Sequence, residues 1–150
     1  GDHRDLHLSL RRQRQMCIRD SSGNRGSLEQ FASIAALRRL SDRDPRALSQ
    51  AAATGEPAAL EVWERYGARL GVGLSSLVYV FTPQLVLLGG GLAGAACHFL
   101  PAVRREVEQR VQAVSREGLR IEACALGNGA GRLGAARLAL LRLGGMMADD

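Results

Sequence analysis

Phe81-Thr82-Pro83-Gln84-Leu85-Val86-Leu87-Leu88-Gly89-Gly90-Gly91 decides the fold of this 150-residue chain. Pro83 lacks a backbone donor and stops any helix arriving from its N-terminal side. Leu85-Val86-Leu87-Leu88 is then an unbroken apolar run of strand length, and the glycines after it end the run in a turn. That pattern predicts a strand buried on both faces. Upstream, the apolar residues Trp63, Tyr66, Leu70, Leu74, Leu77 and Phe81 fall at steps of three and four. They predict one face of a long buried helix of about six turns, opening at Thr54-Gly55-Glu56-Pro57. Gly67, Gly71 and Gly73 lie inside it, each lowering helix propensity by up to about 1 kcal/mol relative to Ala. Their presence predicts close approach to another element.

Downstream of the glycines, a helix is expected from about Ala95 to Ser115, with Pro101 kinking it or marking a later start. Leu119, Ile121, Ala123 and Ala125 alternate with Arg120, Glu122 and Cys124, a second strand with one more polar face. Gly127-Asn128-Gly129-Ala130-Gly131 leads into a closing helix through Leu133, Arg137, Leu141 and Leu143. At the other end, Ser22 to Ser27 is a turn-rich entry. Ser27 suits the N-cap of a helix through Leu28, Phe31, Ile34, Ala35 and Leu37 to Leu40. Pro45 suits the first turn of a short helix to about Ala52. Helices interleaved with short apolar strands predict an α/β domain, helices packed on a short mixed sheet. No repeat of solenoid period is present.

Gly1 to Asp20 stands apart. Arg11-Arg12-Gln13-Arg14-Gln15-Met16-Cys17-Ile18-Arg19-Asp20 back-translates to the junction of a common sequencing-library primer with a transposase mosaic end. Gly1-Asp2-His3-Arg4-Asp5-Leu6-His7 back-translates to the flow-cell arm upstream of that primer. Residues 1–20 are therefore expected to be translated adapter, and such segments are left out of fold reasoning. Native coding is expected to begin within Ser21 or at Ser22, making 21–150 a fragment. The alternative is a basic arm built on Arg11, Arg12, Arg14 and Arg19, of the kind that binds nucleic acid.

The full chain carries 20 basic and 15 acidic residues, +5; without residues 1–20 it carries 15 and 12, +3. Every basic residue is Arg. Neither balance is strong enough to single out a polyanionic partner. Outside residues 1–20 only Cys97 and Cys124 remain, too few for a disulfide framework or a cysteine metal quartet, which fits a reducing cytoplasm. No apolar stretch reaches the length of a membrane span.

Three segments carry a resemblance. Ser22-Gly23-Asn24-Arg25-Gly26-Ser27-Leu28-Glu29 resembles the C-x-C-G-x-x-G-C-x-E signature of the ROK family, the sugar kinases and sugar-responsive repressors of the actin-like ATPase superfamily. Phe81 to Gly91 resembles that family's phenylalanine, asparagine, proline, strand and glycine segment. Leu126 to Ala136 resembles its C-terminal glycine and alanine helix start. The three stand in family order and spacing across nearly all of Ser22 to Leu143. The resemblance implies a partial C-terminal lobe of an actin-like ATPase (ribonuclease H-like) fold.

It also implies site residues. Glu29 matches the family glutamate that accepts hydrogen bonds from sugar hydroxyls, a task suited to a carboxylate because charge-assisted bonds are roughly twice as strong as neutral ones. Read from spacing alone, Glu29 is rather a first-turn acid favoured by the helix dipole, and it is the resemblance that makes it a sugar contact. Gly89, Gly90 and Gly91 match the nucleotide-side glycine turn, where missing side chains let a ligand reach backbone N–H groups. The other reading is a tight turn that needs positive φ. In relatives three cysteines and an upstream histidine bind structural zinc. Here the cysteine positions hold Asp20, Ser22 and Ser27, and neutral hydroxyls do not replace thiolates, so zinc is expected to be lost. Cys97-His98 has no third partner in the sequence, and no catalytic residue is assigned. The set Arg104, Arg105, Arg110 and Arg116, alternating with Glu106, Glu108 and Glu117, predicts a solvated helix face.

Two functions follow from the resemblance. One is a sugar-responsive transcriptional regulator, with this region as its effector-binding and oligomerisation part, taking a sugar or sugar-phosphate effector and reaching DNA through a separate N-terminal domain. The other is an ATP-dependent hexose kinase that uses ATP and Mg. The missing thiols and the Ser33-Ile34 step, where the kinases carry Ser-Gly, favour the regulator. The chain lacks the first phosphate loop and the catalytic aspartate segment, so as written it is expected to be inactive.

Overall fold

The computed structural model describes residue 23 and residues 26–146, with backbone alone at residues 128 and 143–146. The adapter expectation for Gly1 to Asp20 lies outside the described residues. In chain order the elements are α1 (Leu28–Ala32), α2 (Ile34–Leu40), α3 (Pro45–Ala53), α4 (Pro57–Phe81), β1 (Leu85–Leu88), α5 (Ala96–Arg110), β2 (Arg120–Ala123) and α6 (Ala130–Met146). Short 3-10 turns lie at Ala93–Ala95, Ala113–Arg116 and Gly127–Gly129.

Local chemistry sets the boundaries. Asp44 accepts from the Arg46 N–H at 2.9 Å and Pro45 occupies the first helical position, so α3 begins as expected. The single helix predicted across Leu28 to Leu40 is two helices, broken at Ser33. The Ser33 backbone is extended (ψ 174°), and its hydroxyl accepts from the Ala36 N–H at 3.1 Å, capping α2. A serine mid-pattern offers the backbone this local alternative to the helical ladder. At the far end of α4, Thr82 takes the left-handed region (φ 40°) and donates its N–H to the Val78 carbonyl at 2.8 Å. A β-branched residue is ill suited there, whereas the asparagine of the family pattern tolerates it.

The core lies between α4 and α5. Ala59, Trp63, Gly67, Gly71 and Ser75 are buried at four-residue steps along α4, a ridge of the kind that seats in a facing helix groove. A Cβ on Gly67 would overlap the Phe99 carbonyl oxygen and come within 2.9 Å of Ala102 Cβ. One on Gly71 would lie 2.6 Å from Glu106 Cβ. The close approach read from these glycines is therefore real. The buried face continues at Val78, and the predicted positions Leu77 and Phe81 are exposed, Phe81 by 70 %. The contact line follows the small residues rather than the large ones, and this turns Leu77 and Phe81 outward.

β1 and β2 are parallel, with Leu85 opposite Arg120 and Leu88 opposite Ala123. Val86, Leu88, Ile121 and Ala123 face the helices. Leu85 and Leu87 face away, Leu87 56 % exposed. β1 is thus buried on one face only, because no described element covers the other. On the outer edge of β2 the Ile121 carbonyl accepts from Arg104 Nε at 3.2 Å and Nη2 at 2.7 Å. Arg104 therefore ties α5 to the sheet edge, and Arg116 holds the Val111 carbonyl at 3.1 Å. The predicted solvated face holds: Arg104, Arg105, Glu108, Arg110 and Glu117 are exposed, Glu106 and Arg116 are half-buried, and Arg105 and Arg110 pair with Glu64 and Glu106. α5 ends at Arg110 rather than Ser115, and Pro101 lies within it. Exposed Leu133, Leu138, Leu140 and Leu141 line α6. Among the described residues no helix is long and apolar enough to cross a membrane.

Candidate functional site

Glu29 sits, exposed, on the five-residue α1. So short a helix has little stability of its own; its neighbours hold it. Leu28 fills the space left by the absent side chain of Gly73 on α4, where a Cβ would overlap its δ-methyl. The Tyr66 hydroxyl donates to the Ala32 carbonyl at 3.1 Å, and the Arg39 guanidinium donates to the Gln30 carbonyl. At the helix start, the Gly26 N–H donates to Gln30 Oε1 at 2.8 Å, and Gln30 is only 4 % exposed. A cavity of about 380 Å³ between α1 and α4 is walled by Leu28, Phe31 and Val72, with Arg69 in its lining. Burial, then the like charges of Arg65 and Arg39, hold the Arg69 guanidinium below its ordinary value.

Burial pushes the Tyr66 phenol up to about 12. Between about pH 10 and 12 the unfolded chain has lost this proton while the folded chain keeps it. Its contribution is intact below pH 10 and is lost as pH rises towards 12. Tyr66→Phe is expected to cost about 1 kcal/mol at pH 7 through the Ala32 bond, and to lose less stability than the parent on going to pH 11. Urea melts at the two pH values measure both effects.

The zinc implied by the resemblance does not fit the donors. Ser27 offers a neutral hydroxyl whose oxygen is buried with no partner among the described residues, whereas a closed zinc site takes thiolate or imidazole. Asp20 and Ser22 lie outside the described residues. Among the described residues no three His, Cys, Asp or Glu side chains converge on a point that could hold a metal. Ser27 takes the N-cap position expected of it, but its side chain makes no cap bond.

The second part of the site is the glycine turn. Gly89, Gly90 and Gly91 leave the C-terminal end of β1, all exposed, with Gly90 at φ +91°. The Gly127–Gly129 turn leaves the same end of β2, with Gly127 at φ +51°. Because the strands are parallel, both turns lie at the carboxyl edge of the sheet, where α/β folds place ligands. Beside them a cavity of about 350 Å³ is lined by Gly91, Leu92 and Gly94 together with Arg46, Ser49 and Gln50 of α3. Gly89 is 3.7 Å, measured from a built Cβ, from Cys124 Cβ. A Cβ on Gly91 would lie 3.4 Å from Ile34 Cδ1, so the side chain that opens α2 lies beside the glycine turn. Cys97 is exposed, and His98 stacks on Trp63 at 6.1 Å as part of the aromatic core.

Two residues escaped the sequence reading. Gln30 was legible: Ser27-Leu28-Glu29-Gln30 has the S-x-x-Q spacing of a capping box. Ile34 was noticed as a departure from a family step, but nothing in the sequence placed it against Gly91.

The ROK family model matches residues 7–142 of the chain. The glucokinase of Thermotoga maritima is 26 % identical over 159 residues, covering 93 % of this chain and 49 % of that protein. The xylose repressor of Bacillus subtilis is 29 % identical over 119 residues, covering 76 % and 31 %. The chain thus spans about half the length of the first relative and under a third of the second. Among solved structures, the Streptomyces griseus ROK family glucokinase in complex with glucose and AMPPNP superposes with a TM-score of 0.68 at 24 % identity, covering 83 % of this chain and 50 % of that one. Helices packed on a short parallel pair of strands, in the fold of the ROK actin-like ATPases and matched by their family model over most of its length, place this chain in the ROK family.

Proposed function

We propose that the chain is the effector-binding and oligomerisation region of a sugar-responsive ROK regulator, with Glu29 the residue that accepts hydrogen bonds from the sugar. The observation that carries this reading is Ile34. Its δ-methyl lies 3.4 Å from where a Cβ on Gly91 would sit, beside the turn that the kinase reading requires to be open to a nucleotide. A glycine at that step, as the kinases carry, would leave the turn bare. An apolar side chain beside the turn is a poorer neighbour for polar phosphate oxygens than a bare glycine. The relatives at hand include both a repressor and a glucokinase, and the exposed turn with its 350 Å³ cavity is the feature that favours the kinase reading.

Calorimetric titration separates the two. The regulator reading expects saturable binding of a hexose or pentose and none of AMPPNP with Mg. Saturable AMPPNP binding overturns it in favour of the kinase. Glu29→Gln keeps the size of the side chain and removes its charge, and is expected to weaken sugar binding by about 10- to 100-fold, the worth of a hydrogen bond to a charged group. Unchanged affinity in that variant removes Glu29 from the site.

A further inference from the structure

We infer that Gln30 is the positioning residue of the loop before Glu29, closing by an internal amide contact a segment that a metal closes where its cysteines are present; this rests on Glu29 being the sugar contact. Three observations meet here. Gln30 is a polar side chain almost wholly withdrawn from water, and its Oε1 accepts from the Gly26 N–H at 2.8 Å. The group that would otherwise organise this helix start, the Ser27 hydroxyl, caps nothing and is buried with no partner among the described residues. The carbonyl of the same Gln30 is gripped by Arg39 from α2. One residue therefore fixes the loop in front of it through its side chain and the next helix through its main chain.

Glu29 is its immediate neighbour on a helix too short to fix itself. Gly26 has φ +76°, a conformation open to glycine among many others, and the Gln30 amide bond selects it from that freedom. A buried acceptor left without its donor, or a donor without its acceptor, costs the desolvation of that group. Loss of the Gln30 carbonyl should thus release the loop and, with it, the direction of the Glu29 carboxylate.

The experiment compares the parent chain with Gln30→Met and Gln30→Glu. Met matches the length and apolar stem but cannot accept, whereas Glu retains an acceptor oxygen. Amide exchange at Gly26 is expected to quicken about tenfold in Gln30→Met, the loss of one half-buried hydrogen bond, and to return towards the parent rate in Gln30→Glu at acid pH, where the new carboxyl is neutral. Sugar affinity should follow the same order, with far-UV circular dichroism unchanged. Elemental analysis of the parent chain is expected to find zinc far below stoichiometry. Parent-like Gly26 exchange in Gln30→Met, failure of Gln30→Glu to restore it at acid pH, where its carboxyl is as neutral as the amide, or one zinc per chain would each overturn the inference. The exchange readout needs no sugar, so it stands or falls separately from the assignment of Glu29.

Discussion

Gly67→Ala is expected to destabilise the protein by about 2 kcal/mol, although alanine is the better helix former. The new methyl would overlap the Phe99 carbonyl oxygen and approach Ala102 Cβ. The carbonyl belongs to the backbone of α5 and cannot rotate aside, so overpacking falls at the upper end of its usual range, about 3 kcal/mol. About 1 kcal/mol returns through helix propensity. The net change corresponds to a fall in Tm of about 4–8 °C for a domain of this size. Gly71→Ala should move in the same direction by less, since its overlaps are shallower: 2.6 Å to Glu106 Cβ and 2.9 Å to its nearest backbone atom, the Val103 carbonyl oxygen. Gly73→Ala meets only the end of the Leu28 side chain, which can turn away, and should be close to neutral in stability. Thermal melts of the three variants check the order 67, 71, 73. A stabilised Gly67→Ala would mean that α4 and α5 do not pack through these glycines.

That ordering also explains what the sequence could and could not tell. Strand β1, the stop at Pro83 and the start of α3 were legible because each is set by its own residues: an apolar run, a missing donor, a proline behind an aspartate. The buried face of α4 is legible as far as Leu74. Periodicity counts large apolar side chains, but the α4–α5 contact runs on from Trp63 and Tyr66 through Gly67 and Gly71, so the stripe extends on paper to Leu77 and Phe81 where the buried line passes to Val78. Burial of β1 on both faces was misjudged for a different reason. An unbroken apolar run reports the surroundings a strand is suited to, and the described residues supply those on one side only. At the candidate site, Glu29 and the glycines stood out through resemblance and backbone chemistry. The pairing of Ile34 with Gly91 did not, because it joins segments more than fifty residues apart.

Trp63→Ala should have the largest effect on stability of any single change in the core, about 3–5 kcal/mol. Trp63 is wholly buried, stacks on Phe99 at 5.7 Å and meets Tyr66 edge-on at 6.0 Å. Removing it breaks the aromatic cluster that joins α4 to α5 and leaves a cavity where the two helices meet. Against a total stability of about 5–15 kcal/mol for a typical domain, that loss would bring the chain to the edge of folding. Trp63→Phe discriminates between the parts of this effect. The indole N–H is buried with no acceptor among the described residues, a defect worth about 1–3 kcal/mol. Phenylalanine keeps a stacked ring and removes that defect, giving back much of what its smaller volume loses, so its cost should stay below about 1.5 kcal/mol. Chemical denaturation of both variants measures the split. A Phe variant as damaged as the Ala variant would show that the indole nitrogen has an acceptor after all, and that the core is held by a hydrogen bond rather than by ring packing alone.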